Sequence, residues 1–329
     1  MPRTITPDSR RSPRFSGIST FARFPLLDQV KPECRPLDWI IYGIPFDGGT
    51  TYRPGARFGP RAIREESQYV KPFHLEYGLS LTEALSIADG ADAPVRPYDC
   101  RENAQSAGEF GASLPDAKTA RLLALGGDHS IALPNLRATH QRRGKGARPL
   151  ALIHIDAHFD TIDQVWDEKY GHASPFIRAA EEGLIDPARM ISIGIRGPLT
   201  SSQDLDYSKK HGVTLVTTDG LRKDGLRAMD SFAKRIGEDE VYLSFDIDVV
   251  DPAFAPGTGT PCIGGLSSAE VIGLLRHLGA ATGRPPNIVG ADVVEVLPDR
   301  DVGGITALLA AHVAFEILCL SALRTRQAT

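Results

Sequence analysis

The sequence predicts a single α/β domain built on a mainly parallel β-sheet. Short apolar runs recur along the chain, and each is followed by a polar or glycine-rich turn and then by a helical pattern. This alternation of strand and helix is typical of α/β proteins. Most of the runs are apolar nearly throughout, as expected of strands that are buried on both faces of a parallel sheet.

The individual elements follow from these patterns in chain order. The predicted strands lie at residues 39–42, 121–125, 150–155, 190–195, 213–216, 241–245 and 288–294. The predicted helices lie at residues 60–66, 134–143, 175–183, 220–236 and 267–278. The last helix begins with a capping-box pattern, because Ser267 is followed three residues later by Glu270. The segment from about 78 to 116 shows no clear period, and we expect an extra helix and loops there.

The two ends of the chain differ from this pattern. Residues 1–15 are basic and rich in Pro and Ser, and they lack the apolar stretch of a secretory signal. We therefore predict an N-terminal arm over residues 1–15 and one domain over residues 16–329. Residues 305–323 form an apolar stretch of nearly membrane-spanning length, but they include His312 and Glu316. These two polar side chains favour a buried or interface helix over a bilayer span.

Composition and charge exclude several classes of protein. Hydrophobic residues make up 42% and charged residues 24%, which are ordinary globular values and exclude wholesale disorder. The 37 Lys and Arg against 41 Asp and Glu give a net charge of −4, which offers no basic footprint for nucleic acid. The 4 cysteines are far apart and form no C-x-x-C pair. We predict a cytoplasmic protein without nucleic-acid or membrane partners.

One strand ends in a candidate metal-binding triplet. In open α/β sheets, functional residues lie at the carboxyl ends of the strands, on the loops that follow them. The strand at 150–155 is followed by Asp156, His158 and Asp160. Residues i, i+2 and i+4 of extended backbone project to one face, so these side chains can converge on one point.

Two further clusters follow other predicted strands. Asp246 and Asp248 come directly after the strand at 241–245 and have the same spacing of two residues. After the strand at 121–125, paired glycines permit a tight turn that could carry His129 inward. Both clusters are expected at the same edge of the sheet as the first.

The three clusters together have the composition of a two-metal site. Four carboxylates in a dry cleft would repel one another and be driven to protonate without countercharge. Two divalent cations balance four aspartates, with Asp156 and Asp246 as candidates to bridge them. Two metals about 3.5–4 Å apart can hold a shared hydroxide and lower its pKa. The candidate ligands are His129, Asp156, His158, Asp160, Asp246 and Asp248.

The motifs around these residues resemble those of the arginase/agmatinase (ureohydrolase) family. Its three metal-binding signatures are similar to GGDHS (126–130), DAHFD (156–160) and SFDIDVVDPAFAPGTGTP (244–261). Its agmatinase branch, which includes agmatinases, guanidinobutyrases and proclavaminate amidinohydrolase, is similar at IPFDGGTTYRPGARFGPRAIREES (44–67), GLIDPARMISIGIRG (183–197) and DVVEVLPDRDVGGITALLAA (292–311). The resemblance covers residues from about 15 to 320.

The resemblance implies a fold, a cofactor and a reaction. The fold would be a three-layer α/β/α sandwich with a mainly parallel, about eight-stranded sheet. The cofactor would be two divalent ions, Mn²⁺ first, with Ni²⁺ or Co²⁺ as alternatives. The reaction would be hydrolysis of a guanidino group to urea and an amine, in a homo-oligomer of three or six chains. One ion would take His129, Asp156, Asp160 and Asp246, and the other Asp156, His158, Asp246 and Asp248.

Three residues would have catalytic roles by the same resemblance. Asp160 would orient the attacking hydroxide and pass its proton to the departing nitrogen. Glu295 would pair with the substrate guanidinium, since a carboxylate beside a planar guanidinium is a strong and directional pair. His172 would move protons near the leaving group. His154, two residues before Asp156, is interpreted as a core or supporting histidine and not as a ligand.

Departures from the family pattern leave the substrate open. The usual HGTPFR stretch is HASPFI (172–177) here. Two further positions also differ from the family pattern. Phe159 directly precedes Asp160, and Leu297 lies two residues after Glu295. The first hypothesis is an agmatine-like substrate or a guanidino acid. The second is a smaller or more apolar guanidine or biguanide, of the alkylguanidine or metformin type, because Phe159 and Leu297 add apolar bulk. The third is an inactive or partner-dependent subunit of a mixed assembly. A phosphate-ester hydrolase would need basic side chains that the ligand motifs lack.

Overall fold

A computed structural model describes residues 2–280 and 283–328 of the chain. Eight of its strands form one sheet, and two short strands form a separate antiparallel hairpin. The strands are β1 (Trp39–Ile44), β2 (Phe73–His74), β3 (Leu79–Ser80), β4 (Ile87–Asp92), β5 (Arg121–Gly126), β6 (Leu150–Ile155), β7 (Ile185–Ile195), β8 (Thr214–Thr217), β9 (Glu240–Asp246) and β10 (Asn287–Val294). The helices are α1 (Gly59–Glu66), α2 (Leu81–Ala84), α3 (Cys100–Ser113), α4 (Ala132–Arg142), α5 (Pro175–Glu181), α6 (Asp206–His211), α7 (Thr218–Asp224), α8 (Arg227–Ile236), α9 (Ser268–Ala280) and α10 (Ile305–Ala328).

The large sheet is parallel throughout, which confirms the predicted fold class. Its strand order is β4-β1-β5-β10-β9-β6-β7-β8, and each neighbouring pair runs in the same direction. Helices α1, α8, α9 and α10 share one apolar core with the sheet, and α3, α4 and α5 contribute to the cores on the other side. The sheet is therefore the middle layer of three.

The segment expected to hold a helix and loops also holds a strand. Helix α3 is present, but the edge strand β4 was missing from the prediction. Its sequence, IADGAD, does not have the apolar run of a buried strand, because Asp89 lies in its buried half. Arg64 pairs with that carboxylate at 2.9 Å, and the Phe21 N–H donates to it at 2.8 Å. A buried ion pair thus takes the place of an apolar side chain.

The predicted helix at 220–236 is wrong, because the chain forms two helices there. Helix α7 ends at Asp224, where Gly225 adopts a φ of +63°, and α8 begins at Arg227. Glycine adopts a positive φ without steric cost, so the chain can leave the helix at this residue. The capping box of α9 is confirmed, since Ser267 N–H donates to Glu270 Oε2 at 2.7 Å and Glu270 N–H donates to Ser267 Oγ at 3.2 Å.

The apolar C-terminal helix α10 is a core helix of this fold. Residues Ile305–Gln327 are long and apolar enough to cross a membrane, but 83% of their most apolar window is buried inside the protein. Glu316 lies in this helix and accepts hydrogen bonds from Arg276 at 3.0 Å, and His74 contacts the same carboxylate at 3.1 Å. The polar residue that argued against a bilayer span is therefore neutralised within the core.

The N-terminal residues contact the rest of the domain. Thr4 N–H donates to the Thr82 carbonyl at 2.9 Å, and the Thr4 hydroxyl donates to the Leu85 carbonyl at 2.6 Å. Arg14 donates to the Val70 carbonyl at 3.1 Å. Segment 2–15 thus contacts α2 and the residues that follow α1, while a division of the chain at residue 16 stays a prediction.

Strand order decides where the functional residues meet. Strands β5, β10, β9 and β6 are consecutive neighbours in the sheet although they are far apart in sequence. Because the strands are parallel, the loops that follow these four strands leave the same edge. That edge carries all of the predicted site residues.

Candidate functional site

The first group of predicted ligands surrounds one nitrogen of His129. Its Nδ1 atom lies 2.7 Å from an Asp160 oxygen, 3.0 Å from an Asp156 oxygen and 3.2 Å from an Asp246 oxygen. Among the described residues this buried nitrogen has no hydrogen-bond partner, in spite of these short distances. Buried polar groups are nearly always satisfied. The nitrogen faces three carboxylate oxygens but makes no hydrogen bond to them. This arrangement is the one expected of metal ligands that surround a cation.

The second group adjoins the first and shares Asp156 with it. His158 Nδ1 lies 2.9 Å from an Asp248 oxygen and 3.5 Å from Asp156 Oδ1. The other Asp156 oxygen, Oδ2, is the one that faces His129. Asp156 therefore stands between the two groups, as expected of a bridging ligand. The structure brings all six predicted ligands together, and their identity as ligands is a proposal that we argue below.

The charges of the cluster also fit a pair of cations. Burial and the nearby charges of Asp248 and Asp156 raise the pKa of Asp246 well above its ordinary range. Burial likewise raises the pKa of Asp248. Carboxyl groups in such surroundings take up protons unless positive charge is supplied. The oxygen-rich donor set, with two imidazoles, suits divalent first-row metals.

Removal of divalent metal is expected to lower the thermal stability of the loaded protein. A ligand held at about a thousand times its Kd stabilises the folded state by about 4 kcal/mol, which for a chain of this size shifts Tm by about 5–10 °C. Differential scanning calorimetry before and after EDTA measures this shift, and returning Mn²⁺ should restore it. If EDTA removes metal that was verified as bound and Tm does not change, the result would count against the cluster as the metal site.

Tight turns, and not extended strands, bring the ligands together. The predicted reason for their convergence was extended backbone, but the chain leaves β9 at Asp246 and forms a 3₁₀ turn over Ile247–Val249. Asp246 Oδ1 accepts the Asp248 N–H at 2.8 Å, which closes that turn. After β6, Asp156 Oδ1 accepts the His158 N–H at 2.6 Å in the same way.

Two acidic residues of the site have an unusual backbone. Asp160 has a φ of +49° and Glu295 a φ of +65°. Residues other than glycine rarely adopt such angles, because Cβ then approaches the backbone. Strain of this kind is concentrated at functional sites, where the surrounding structure holds it.

A buried relay that the sequence analysis missed supports His129. The ring Nε2 atom lies 2.8 Å from the Ser244 hydroxyl, which donates to Asp292 at 2.7 Å. Tyr242 donates to the other Asp292 oxygen at 2.5 Å. Hydrogen bonds on the second ring nitrogen fix the tautomer and orientation of a metal-binding histidine. The available signal was position, since Ser244 precedes Asp246 by two residues on β9.

His154 has the geometry of the supporting role predicted for it. Its Nε2 atom lies 2.8 Å from Asp156 Oδ2, and its Nδ1 atom lies 3.1 Å from the Ser192 hydroxyl. The nitrogen facing Asp156 is close enough to join the first group of candidate ligand atoms. Both ring nitrogens nevertheless have protein partners, unlike Nδ1 of His129, so the contacts favour His154 as a support of Asp156.

Glu295 presents one unpartnered carboxylate oxygen beside the cluster. Its Oε1 atom accepts the His129 N–H at 2.8 Å and lies 2.8 Å from His172 Nδ1. Among the described residues, its buried Oε2 atom has no hydrogen-bond partner. Gly259 leaves space in front of this oxygen, because a methyl group added there would lie 3.5 Å from it. The site thus offers a free anionic oxygen to a cation.

His172 is held between Glu295 and the loop after β1. The Thr51 N–H donates to His172 Nε2 at 3.0 Å, so the ring proton in this arrangement is on Nδ1, facing Glu295. Burial opposes a charged ring, but the hydrogen bond and charge of Glu295 raise the pKa of His172 to about 9. A cation bound to Glu295 would offset that charge and favour the neutral ring. His172 is therefore placed to exchange a proton when such a cation is bound.

Comparison with known proteins gives consistent matches over almost the whole chain. A model of the Arginase family matches residues 37–320. The chain is 43% identical over 312 residues to proclavaminate amidinohydrolase from Streptomyces clavuligerus, covering 94% of this chain and 95% of that protein. It is 42% identical over 317 residues to guanidinopropionase from Pseudomonas aeruginosa, covering 96% and 95%. A solved structure of proclavaminate amidino hydrolase from S. clavuligerus matches with a TM-score of 0.85 at 42% identity, covering 95% of this chain and all of that one.

Proposed function

This chain belongs to the arginase family, and we propose that it is a two-metal hydrolase that converts a guanidino group to urea and an amine. It is a hydrolase of amidine C–N bonds that acts on guanidino compounds. The position of two groups in the site supports the proposal of a two-metal hydrolase that releases urea. The cluster around His129 Nδ1 adjoins the unpartnered Oε2 atom of Glu295, so a cation site and an anionic oxygen lie side by side.

The proposed cofactor is a pair of divalent ions, Mn²⁺ first, with Ni²⁺ or Co²⁺ as alternatives. When bound, such ions would act as Lewis acids and make water nucleophilic at neutral pH. That chemistry is needed because resonance over three nitrogens makes the guanidinium carbon a poor electrophile. The residues that would hold the ions are His129, Asp156, His158, Asp160, Asp246 and Asp248.

Three side chains would then act on the substrate and the attacking water. Glu295 Oε2 would bind the guanidinium and hold its plane, since it is buried and has no hydrogen-bond partner in the part of the chain that the structure describes. Asp160, at the edge of the cluster, would orient the water and carry its proton toward the departing nitrogen. His172, hydrogen-bonded to Glu295, would exchange a proton with the leaving amine.

The substrate class is proposed as a guanidino acid or an agmatine-like compound. Two similar proteins are named for such chemistry, guanidinopropionase and proclavaminate amidinohydrolase. A smaller or more apolar guanidine is the second candidate. It is favoured by Leu297, whose Cδ1 atom would lie 3.7 Å from a methyl group placed on Gly259, so that apolar surface borders the space before Glu295.

The test is urea release by the purified, metal-loaded chain across a guanidine panel. The panel holds arginine, agmatine, 4-guanidinobutyrate, 3-guanidinopropionate, methylguanidine and metformin, each with Mn²⁺ and with Ni²⁺. We expect the highest kcat/KM with a compound that has a polar group at the end opposite the guanidinium. Preference for methylguanidine or metformin would support the second candidate. If no compound yields urea although two metals are verified per chain, the proposal is overturned and a partner-dependent subunit is favoured.

We further propose that the protein acts in the cytoplasm as a homo-oligomer of three or six chains. The number of chains is what the resemblance to the family implies. Several large apolar side chains are exposed on the single chain, among them Phe15, Ile18 and Leu75, with exposed fractions of 94%, 75% and 79%. Light scattering on the purified chain measures the number of subunits, and a monomer would contradict this part of the proposal.

A further inference from the structure

A cavity of about 530 Å³ lies at the edge of the sheet opposite the candidate metal cluster. Strands β5, β10 and β9 begin beside it, and the residues at their starts, Arg121, Asn287 and Glu240, line its wall. Residues of α4 and of the loop before β6 line the other sides. This volume lies within the range of about 300–1,000 Å³ that is usual for small-molecule sites. The cavity is therefore separate from the proposed active site and large enough for a small ligand.

The lining of this cavity is strongly basic. Its charged side chains are five cations and one carboxylate, namely Lys118, Arg121, Arg142, Arg143, Arg148 and Glu240. The carboxylate of Glu240 is paired with Arg143. The other four cations form no ion pair in the part of the chain that the structure describes. Like charges that share a cavity repel one another, and a bound anion would relieve that repulsion.

Arg121 is partly buried and lacks a neutralising partner. Its Nη1 atom donates to the Ser321 hydroxyl at 2.8 Å, and its guanidinium carbon lies 5.9 Å from the centre of the Trp39 ring. Burial lowers the pKa of Arg121, and the charge of Asp38 opposes this effect only in part. A guanidinium has five N–H groups. The contact with Ser321 therefore leaves donors on Arg121 for an anion.

Two buried polar atoms of the lining residues also lack partners. The Thr139 hydroxyl and the Arg142 Nε atom make no hydrogen bond to any described residue, although Thr139 is only 3% exposed. The terminal nitrogens of Arg142 donate to the carbonyls of Pro115 and Ala120, at 2.8 and 3.1 Å, so this guanidinium is held in place while Nε is left over. Buried polar groups are nearly always satisfied. The acceptor oxygens of an anion would satisfy both atoms.

We propose that this cavity binds a small compound with two or more closely spaced anionic groups, of the diphosphate class. Arginine matches the oxygens of a phosphate group with paired N–H donors, and lysine adds a compact charge. One phosphate group reaches only part of a lining that carries four unpaired cations, whereas two linked groups reach more of them. The site uses none of the residues of the metal cluster. It therefore stands or falls independently of the proposed reaction.

The test is isothermal titration calorimetry of the metal-loaded full chain with pyrophosphate and with inorganic phosphate. We expect the Kd for pyrophosphate to be at most about one tenth of that for phosphate, because pyrophosphate pairs with at least one more cation. Arg121→Gln should weaken pyrophosphate binding about tenfold or more, the loss expected for one hydrogen bond to a charged group. The double variant Lys118→Gln with Arg148→Gln should weaken it about twofold or more. Both of these residues are exposed, so the double variant guards against misfolding.

The matched control is Lys209→Gln, which removes one charge from an exposed residue of α6 that does not line the cavity. Its Kd for pyrophosphate should stay within about twofold of wild type. Metal per chain is measured after each titration, because pyrophosphate also binds divalent ions. Equal affinity in wild type and Arg121→Gln, an equal loss in Lys209→Gln, equal affinity for the two anions, or heat matched by loss of metal would each overturn the proposal. No guanidine turnover is needed, so failure of the proposed reaction would leave this test unaffected.

Discussion

Replacement of Asp246 by alanine or asparagine is expected to remove bound metal and turnover together. The Asp246 carboxylate lies 3.2 Å from His129 Nδ1, and its Oδ1 atom also closes the turn that positions Asp248. Loss of this group takes one charge from the cluster and loosens a second ligand. Because a bound metal contributes several kcal/mol to transition-state stabilisation, we expect kcat/KM to fall about 10³-fold or more. Elemental analysis of metal per chain and urea release are the two measurements.

The asparagine variant keeps the shape of the side chain and therefore guards against simple misfolding. A matched control is Asp251→Asn, five residues further along the same motif. Asp251 accepts hydrogen bonds from the backbone N–H groups of Gly264 and Gly265 and lies outside the cluster, so its variant should keep both metals. An Asp246→Asn protein that retains two metals per chain would show that the cluster is not the metal site.

Replacement of Glu295 by glutamine is expected to leave metal binding intact and to abolish most of the turnover. Glutamine can still accept the His129 N–H through its amide oxygen, so the cluster keeps its support. It cannot supply the negative charge that would pair with a guanidinium at Oε2. Removing one partner of a buried ion pair costs about 3–5 kcal/mol, which corresponds to a loss of about 2 × 10²- to 5 × 10³-fold in kcat/KM.

The control for this prediction is Asp299→Asn, which removes an equal charge from an exposed residue four positions later. It should leave kcat/KM within about twofold of wild type. Turnover by Glu295→Gln at the wild-type rate would show that another group binds the guanidinium. Loss of metal from the same variant would show that Glu295 supports metal binding through His129. Its loss of turnover could then not be assigned to guanidinium binding.

The sequence alone determined the fold class and the candidate ligands. Both depend on short-range patterns. A strand that is buried on both faces must be apolar along its length, so β1, β5, β6 and β9 were visible as runs. Ligands such as Asp156 and His158 lie directly after those runs, where parallel sheets place functional residues. Where a strand violated the pattern, as β4 does with its buried Asp89 and Arg64 pair, the prediction failed.

Tertiary structure decided how these pieces are arranged around one site. The order β5-β10-β9-β6 places Glu295, which follows β10, between the loops that carry His129 and Asp246. No local pattern contains that order, because it depends on which strands pair across long sequence separations. The Ser244–Asp292 relay, the unpartnered Oε2 atom of Glu295 and the hydrogen bond from Thr51 to His172 likewise depend on contacts between distant segments. A sequence specifies which side chains can bind, and only the packed sheet determines which of them share a space.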